Sequence, residues 1–214
     1  MAKSKIKKST KKAYRKHRVS PFKILLIPLV IFTIYYMVND SPRFNQISLS
    51  GKEEIPSEYI PIYKAAEKEY GVPWNLLAAH HRVETKFSTM RTLISPVGAE
   101  GPMQFMPCTF VGWAHPTCGD LGKGEIPESQ KTDPEVIKKY GGYGVDGNGD
   151  GLADPFQIED AIFSAANYLA RNGAADGHIE QAVFAYNHSH DYVEDVMYFA
   201  DKYVEQLNEQ KGKE

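Results

Sequence analysis

The sequence predicts a mainly α-helical domain preceded by a single N-terminal transmembrane helix. Three observations lead there. Charge is segregated: residues 1–23 carry ten Lys and Arg and no acid, whereas residues 39–214 carry fifteen basic and twenty-seven acidic residues, so the net charge of -2 averages two opposite halves. An apolar run follows the basic tail at once. Beyond it, apolar residues recur at three- and four-residue spacing, with no sustained alternating pattern. At 42% hydrophobic and 24% charged residues the chain has enough apolar surface for a core, which excludes disorder throughout and collagen-like or coiled-coil architecture.

Residues 1–21 read as a basic cytoplasmic tail and residues 22–38 as the anchor. The run from Phe22 to Val38 has one charge, Lys23, near its edge. Its length is at the lower end of the ~17–25 residues that cross a bilayer. Tyr35 and Tyr36 suit the far interface. A cleaved signal peptide would end in small residues, and Met37-Val38-Asn39-Asp40 does not. A nucleic-acid-binding arm would need no apolar run behind it. The positive-inside rule then gives a single-pass cell-membrane protein, touching the lipid bilayer through 22–38, with a cytoplasmic N-terminus and residues 39–214 outside. No nucleic-acid partner is expected.

Residues 39–54 mix Pro, Ser, Asn and charge and read as an extracytoplasmic stalk. The folded domain spans 55–207. Its first helix covers Ser57 to Tyr70, with Ile60, Tyr63, Ala66 and Tyr70 on one face and Gly71 as the stop. A second covers Pro73 to Phe87, with Leu76, Ala79, Val83 and Phe87 as its apolar stripe. A short third covers Met103 to Trp113. Residues 119–156, rich in Gly, Pro and Asp, form a long surface excursion. Ile158 to Arg171 is a strong helix, and His178 to Tyr186 and Asp191 to Gln206 complete the set. Residues 208–214 are a polar tail.

Cys108 and Cys118 would close a short loop containing Trp113. An exported location permits that disulfide, and His115 alone is too few additional ligands for zinc.

Glu84 is the main chemical candidate. It sits at the border of the second helix's apolar stripe, where desolvation raises a carboxyl pKa and lets it hold a proton near neutrality. Protonation of a glycosidic oxygen is what sugar-chain cleavage needs. Spacing alone leaves the plainer alternative, a solvated helix glutamate, in front.

The surrounding residues change that balance. Val83-Glu-Thr-Lys-Phe87, then Ile94-Ser-Pro-Val-Gly-Ala-Glu-Gly-Pro-Met-Gln-Phe-Met-Pro107, then Ala185-Tyr-Asn-His-Ser189 resemble, in order, three elements of the soluble lytic murein transglycosylase family. The resemblance covers about residues 55–205 and implies a lysozyme-like fold. It implies that Glu84 is the catalytic acid of a peptidoglycan lytic transglycosylase. Such enzymes cleave between N-acetylmuramic acid and N-acetylglucosamine, with one glutamate as acid and then base, and leave 1,6-anhydromuramoyl ends. By the same resemblance Gln104, Met103, Thr85, Ser95, Tyr186 and Asn187 line or support the glycan site, with Tyr186 near Glu84. Two positions depart from the pattern: Thr85 stands where Ser is usual, and Pro102 where Leu or Ile is usual. A hydrolytic muramidase and a non-catalytic peptidoglycan-binding or assembly protein stay open as alternatives. Envelope-spanning machinery is a further partner class.

No cofactor is required by this reading. Glu100 is a weaker second acid, against the plainer reading of a solvated turn residue. Asp146, Asn148, Asp150 and Asp154 invite a structural calcium reading. They match the start of a calcium loop, but Gln157 replaces the bidentate Glu, and Glu159 or Asp160 would have to contribute. The alternative is an acidic turn capping the next helix. A zinc site over His80, His81, Glu84, His188 and His190 is weighed as well, but the His-His-x-x-Glu order is not that of a zincin.

Overall fold

The computed structural model describes residues 54–119 and 121–211. Helix α1 (Ile60–Tyr70) starts on Pro61 in its first turn and stops at Gly71, whose left-handed backbone (φ 70°) lets its N–H return to Glu67 O at 2.8 Å. Two residues later α2 (Trp74–Thr85) begins, and Glu67 Oε1 accepts the otherwise free Trp74 N–H. A turn-rich segment leads to α3 (Pro107–Val111), followed by α4 (Glu128–Lys131) and α5 (Pro134–Tyr140). Helix α6 (Ile158–Arg171), a 3₁₀ turn (Ala174–Asp176), α7 (Ile179–Asn187) and α8 (His190–Lys211) follow.

Packing follows from where the small residues lie. Helix α2 lies chiefly against α8, and α1 lies against both α6 and α2. Ala78 and Ala79 of α2 and Ala161, Ala165 and Ala166 of α6 are fully buried, so the helices approach closely with Leu76, Leu77, Ile162 and Leu169 filling the space between. Tyr192, Val196, Ala200 and Tyr203 form the matching stripe of α8. Among the described residues there is no strand; two isolated bridges, Ile94 with Glu100 and Glu100 with Phe105, fold the 94–105 segment back on itself. The domain is mainly α-helical, consistent with a lysozyme-like fold.

Several expectations need correcting. The expected third helix is confined to Pro107–Val111, because residues 101–104 form a tight turn closed by the Glu100–Phe105 bridge, with Gly101 and Gln104 in left-handed backbone. The 119–156 excursion contains α4 and α5, the latter started by Asp133, which accepts from Glu135 N and Val136 N. The last helix continues through Lys211. The anchored topology is also corrected: among the described residues no helix is long and apolar enough to cross a membrane. The longest, α8, carries Asp191, Glu194, Asp195, Asp201, Lys202 and Glu205 along its length. The 22–38 segment, the basic tail and the stalk up to residue 53 lie outside the described residues. The membrane-anchored membership, the bilayer contact, the single-pass topology with its cytoplasmic N-terminus and the membrane localisation therefore have no spanning helix among the described residues to support them.

Candidate active site

Glu84 occupies the last turn of α2, and the backbone beyond it is unusual. Lys86, Phe87 and Ser88 all have left-handed backbone, with φ of 53°, 59° and 60°. Side chains resist that region at roughly 1–2 kcal/mol per residue. The strain is held by neighbouring bonds. Thr85 Oγ1 accepts from Ser88 N at 3.1 Å and donates to Pro102 O at 2.8 Å. Phe87 is buried edge-on to His81 at 5.5 Å. Helix end and 94–105 segment are thereby tied together.

The Glu84 carboxyl is partly buried and pushed up to about 7, first by burial, with the Tyr192 hydrogen bond acting the other way. The Tyr192 hydroxyl donates to Glu84 Oε1 at 2.5 Å. The same hydroxyl lies 2.9 Å from His80 Nδ1. Both histidines are fully buried, and burial lowers each to about 3, so they are neutral through the working range. His81 is committed elsewhere, to Tyr63 through Nδ1 and to Ser88 through Nε2. Neither is free to line a cleft, and among the described residues no group of three or more His, Cys, Asp or Glu is placed to hold a metal.

Tyr186 stands beside this pair. Its ring is parallel to that of Tyr192 at 6.5 Å, and the negative charge of Glu84 adds to burial in raising its phenol well above the usual value. Its hydroxyl donates to Met103 O at 2.7 Å. Met103 and Thr85 are buried, so they support the site from behind. Gln104 has left-handed backbone (φ 52°), and its Nε2 donates to Leu93 O and Gly101 O, which leaves Oε1 as the acceptor for an incoming group. Asn187 is exposed at the end of α7. Ser95 accepts from Ala99 N at 2.9 Å and lines a separate cavity of about 250 Å³ with Glu100, Lys123 and Lys131. Glu100 is no solvated turn residue: it pairs with the nearly buried Lys131 at 2.9 Å.

Gln104 and Tyr186 also line a cavity of about 340 Å³ whose walls include Phe105, Tyr143 and Tyr168. A proton-holding carboxyl beside an aromatic cleft can protonate a bound leaving group. Gly101 fixes how the 94–105 segment meets the next loop: a Cβ there would lie 1.7 Å from Pro155 O. Cys108 and Cys118 form a disulfide, with Cα atoms 5.7 Å apart.

The acidic loop is organised by hydrogen bonds. Asp146 accepts from Gly149, Asp150 and Gly151 N–H, Asp150 from Leu152 N–H and Asp154 from Phe156 N–H. Buried Asp160 gathers the loop from below, accepting from Gly147, Asn148 and Asp154 N–H. Gln157 bonds Asn148 and Asp150. Oxygen donors suited to calcium are present, without the bidentate carboxylate at the last position.

Tyr192 was missed in the sequence, and His80 was weighed there only as a zinc ligand. Both fall on apolar stripes of their helices, where an aromatic ring reads as core, and their meeting joins helices 112 positions apart.

Residues 137–183 match the family described as the Transglycosylase SLT domain. That stretch holds the acidic loop and α6, and neither Glu84 nor Gln104. The chain is 28% identical over 142 residues to the L-Ala--D-Glu endopeptidase of Bacillus subtilis (strain 168). The alignment covers 65% of this chain, and the chain spans 40% of that relative's length. No solved structure matches the chain.

Proposed function

We propose that the chain cleaves peptidoglycan glycan strands between N-acetylmuramic acid and N-acetylglucosamine, with Glu84 as the single acid and base. The match to the transglycosylase domain and the distant endopeptidase relative together point to enzymatic action on peptidoglycan. The finer reading rests on one observation: Glu84 holds its proton up to about pH 7 while Tyr192 grips one of its oxygens. A bond from Tyr192 to Oε1 leaves Oε2 to carry the transferable proton. Glu84 gives that proton to the bridging oxygen as the C1–O bond breaks. The muramoyl 6-hydroxyl then attacks C1, and its proton returns to the carboxylate. C1–O6 replaces the glycosidic bond, and no water is consumed.

Water in place of the 6-hydroxyl would give a muramidase with the same acid. Mass spectrometry of purified peptidoglycan treated with the full chain separates the outcomes. Anhydro ends, about 18 Da lighter than reducing ends by the loss of one water, are expected. Reducing ends would make the protein a hydrolase. Freed stem-peptide amino termini with intact glycan would replace the proposal by peptide cleavage.

A further inference from the structure

The disulfide loop carries a large apolar side chain that no core contact explains. Trp113 is 54% exposed, yet the backbone that presents it is tightly held. The Cys108–Cys118 disulfide closes the loop, and Gly112, His115 and Cys118 N–H groups bond in sequence to Cys108, Gly112 and His115 carbonyls. The buried His115 ring lies 2.9 Å from Thr117 Oγ1 and 3.0 Å from Gln130 Oε1. The far edge of the indole rests on Gly122, where a Cβ would come within 3.1 Å of it. A mobile loop exposes an indole by chance; a stapled one holds it in place.

Trp113 lines the same 340 Å³ cavity as Gln104, Thr109, Tyr143, Tyr168 and Tyr186. Tyr186, one wall of this cavity, lies parallel to Tyr192 at 6.5 Å, and Tyr192 donates to Glu84, so two stacked tyrosines separate the cavity from the carboxyl. Its composition is mixed. Aromatic faces suit the C–H face of a pyranose ring, and the Gln104 amide oxygen and Thr109 hydroxyl suit its hydroxyl and acetamido groups. A purely apolar ligand would leave those polar groups unpaired, and the lining holds no carboxylate, ammonium or guanidinium group, His188 being its one imidazole.

We infer that Trp113 is the stacking platform of a sugar subsite, placed by the disulfide loop to hold one N-acetylhexosamine ring of a β-1,4-linked strand across the tyrosine pair from Glu84. The inference rests on the proposed glycan cleavage for its substrate class. It goes beyond it in naming the residue that fixes one ring and the loop that fixes the residue.

The chain has two tryptophans, Trp74 and Trp113, so indole emission can be assigned. In the full chain carrying Glu84→Gln to prevent turnover, Trp74→Phe leaves Trp113 as the reporter. Titration with an N-acetylglucosamine tetramer should then change its emission saturably. Trp113→Ala should weaken binding about tenfold by calorimetry, the range of a stacked tryptophan anchor, and Trp113→Phe by less. Far-UV circular dichroism should be unchanged, because the side chain is exposed. Unchanged affinity in Trp113→Ala, a signal carried by Trp74 alone, or no binding would overturn the subsite. If wild-type protein fails to cleave glycan while Trp113 still reports saturable binding, the catalytic reading fails and the subsite stands. If wild-type protein cleaves and Trp113→Ala keeps the same KM, the subsite fails and the catalytic reading stands.

Discussion

The Tyr192 hydroxyl donates to Glu84 Oε1 across 108 positions of chain, at 2.5 Å. Because a phenol has one proton to give, the 2.9 Å contact between that hydroxyl and His80 Nδ1 needs its hydrogen from the imidazole. Nδ1 is then protonated, and His80 Nε2 carries a bare lone pair, the nitrogen that has no partner. A buried lone pair without a partner is a smaller penalty than a buried N–H without one. The chain of donors runs one way, from His80 to Tyr192 to Glu84, and leaves the second carboxyl oxygen clear of it, as the proposed proton transfer requires.

Tyr192→Phe removes that donor and keeps the ring. A hydrogen bond to a charged acceptor contributes about 1.5–3 kcal/mol, so kcat for glycan cleavage should fall roughly 10- to 100-fold. The bond holds the Glu84 pKa down against burial. Its loss should therefore move the alkaline limb of the pH–rate profile upward from about 7. A fall in rate with an unmoved limb would mean that Tyr192 shapes the site without acting on the carboxyl.

Stability should depend on pH through three buried groups. His80 and His81 are lowered to about 3, so the unfolded chain binds two more protons than the folded one below about 6.5. Glu84, raised to about 7, binds one more in the folded state above about 4.5. Between pH 4.5 and 6.5 the net excess is one proton in the unfolded state. Stability should rise there by about 1.4 kcal/mol per pH unit, and about twice as steeply between 3 and 4.5. Urea denaturation at stepped pH measures these slopes, and a flat profile from 4.5 to 6.5 would contradict the burial of the two imidazoles.

Much of this fold is legible in the sequence, for reasons particular to each element. Ile158–Arg171 is found where its apolar stripe predicts, because six apolar residues at helical spacing have one arrangement that buries them together. Helices α4 and α5 are hidden because 4 and 7 residues are too few for periodicity to register. The signal for α5 is chemical instead, Asp133 before Pro134. The site is legible only in part. Glu84 and Tyr186 sit in quoted motifs, whereas Tyr192 and His80 lie on core stripes and acquire their polar roles when α8 packs on α2. The Gln104 amide is occupied by two carbonyls that no local pattern announces.

Asp160 should matter more to stability than any residue of the loop it supports. It is fully buried and accepts three backbone N–H groups, so Asp160→Ala leaves three donors unpaired. A loss of about 2–4 kcal/mol in urea denaturation is expected. Calcium binding by Asp146, Asn148 and Asp150 is a proposal tested in the same assay. The thermal midpoint should climb saturably with calcium in the wild type and stay level in Asp146→Asn. A level wild-type titration would leave the hydrogen bonds as the whole account of the loop.

Glu84→Gln should separate chemistry from folding more sharply than any other change. The amide keeps the size of the side chain and can still accept from Tyr192, but it has no proton to transfer. General acid catalysis alone is typically worth about 10²–10⁴ in rate, and in the proposed reaction the same carboxyl also takes the proton back, so the larger end is expected. Stability should move the opposite way. With a pKa raised from 4.5 to about 7, ionised Glu84 lowers folded-state stability by at most about 3 kcal/mol above pH 7, and the neutral amide escapes that penalty. The variant should therefore be more stable than wild type at pH 8 by roughly 1–3 kcal/mol and equal to it below about pH 4.5. Its slope between pH 4.5 and 6.5 should double, because the two histidines then act unopposed. Lost cleavage together with gained alkaline stability would mark Glu84 as a group placed for chemistry at the expense of the fold. Lost cleavage with lost stability would mark it as a structural residue, and the acid would have to be sought elsewhere.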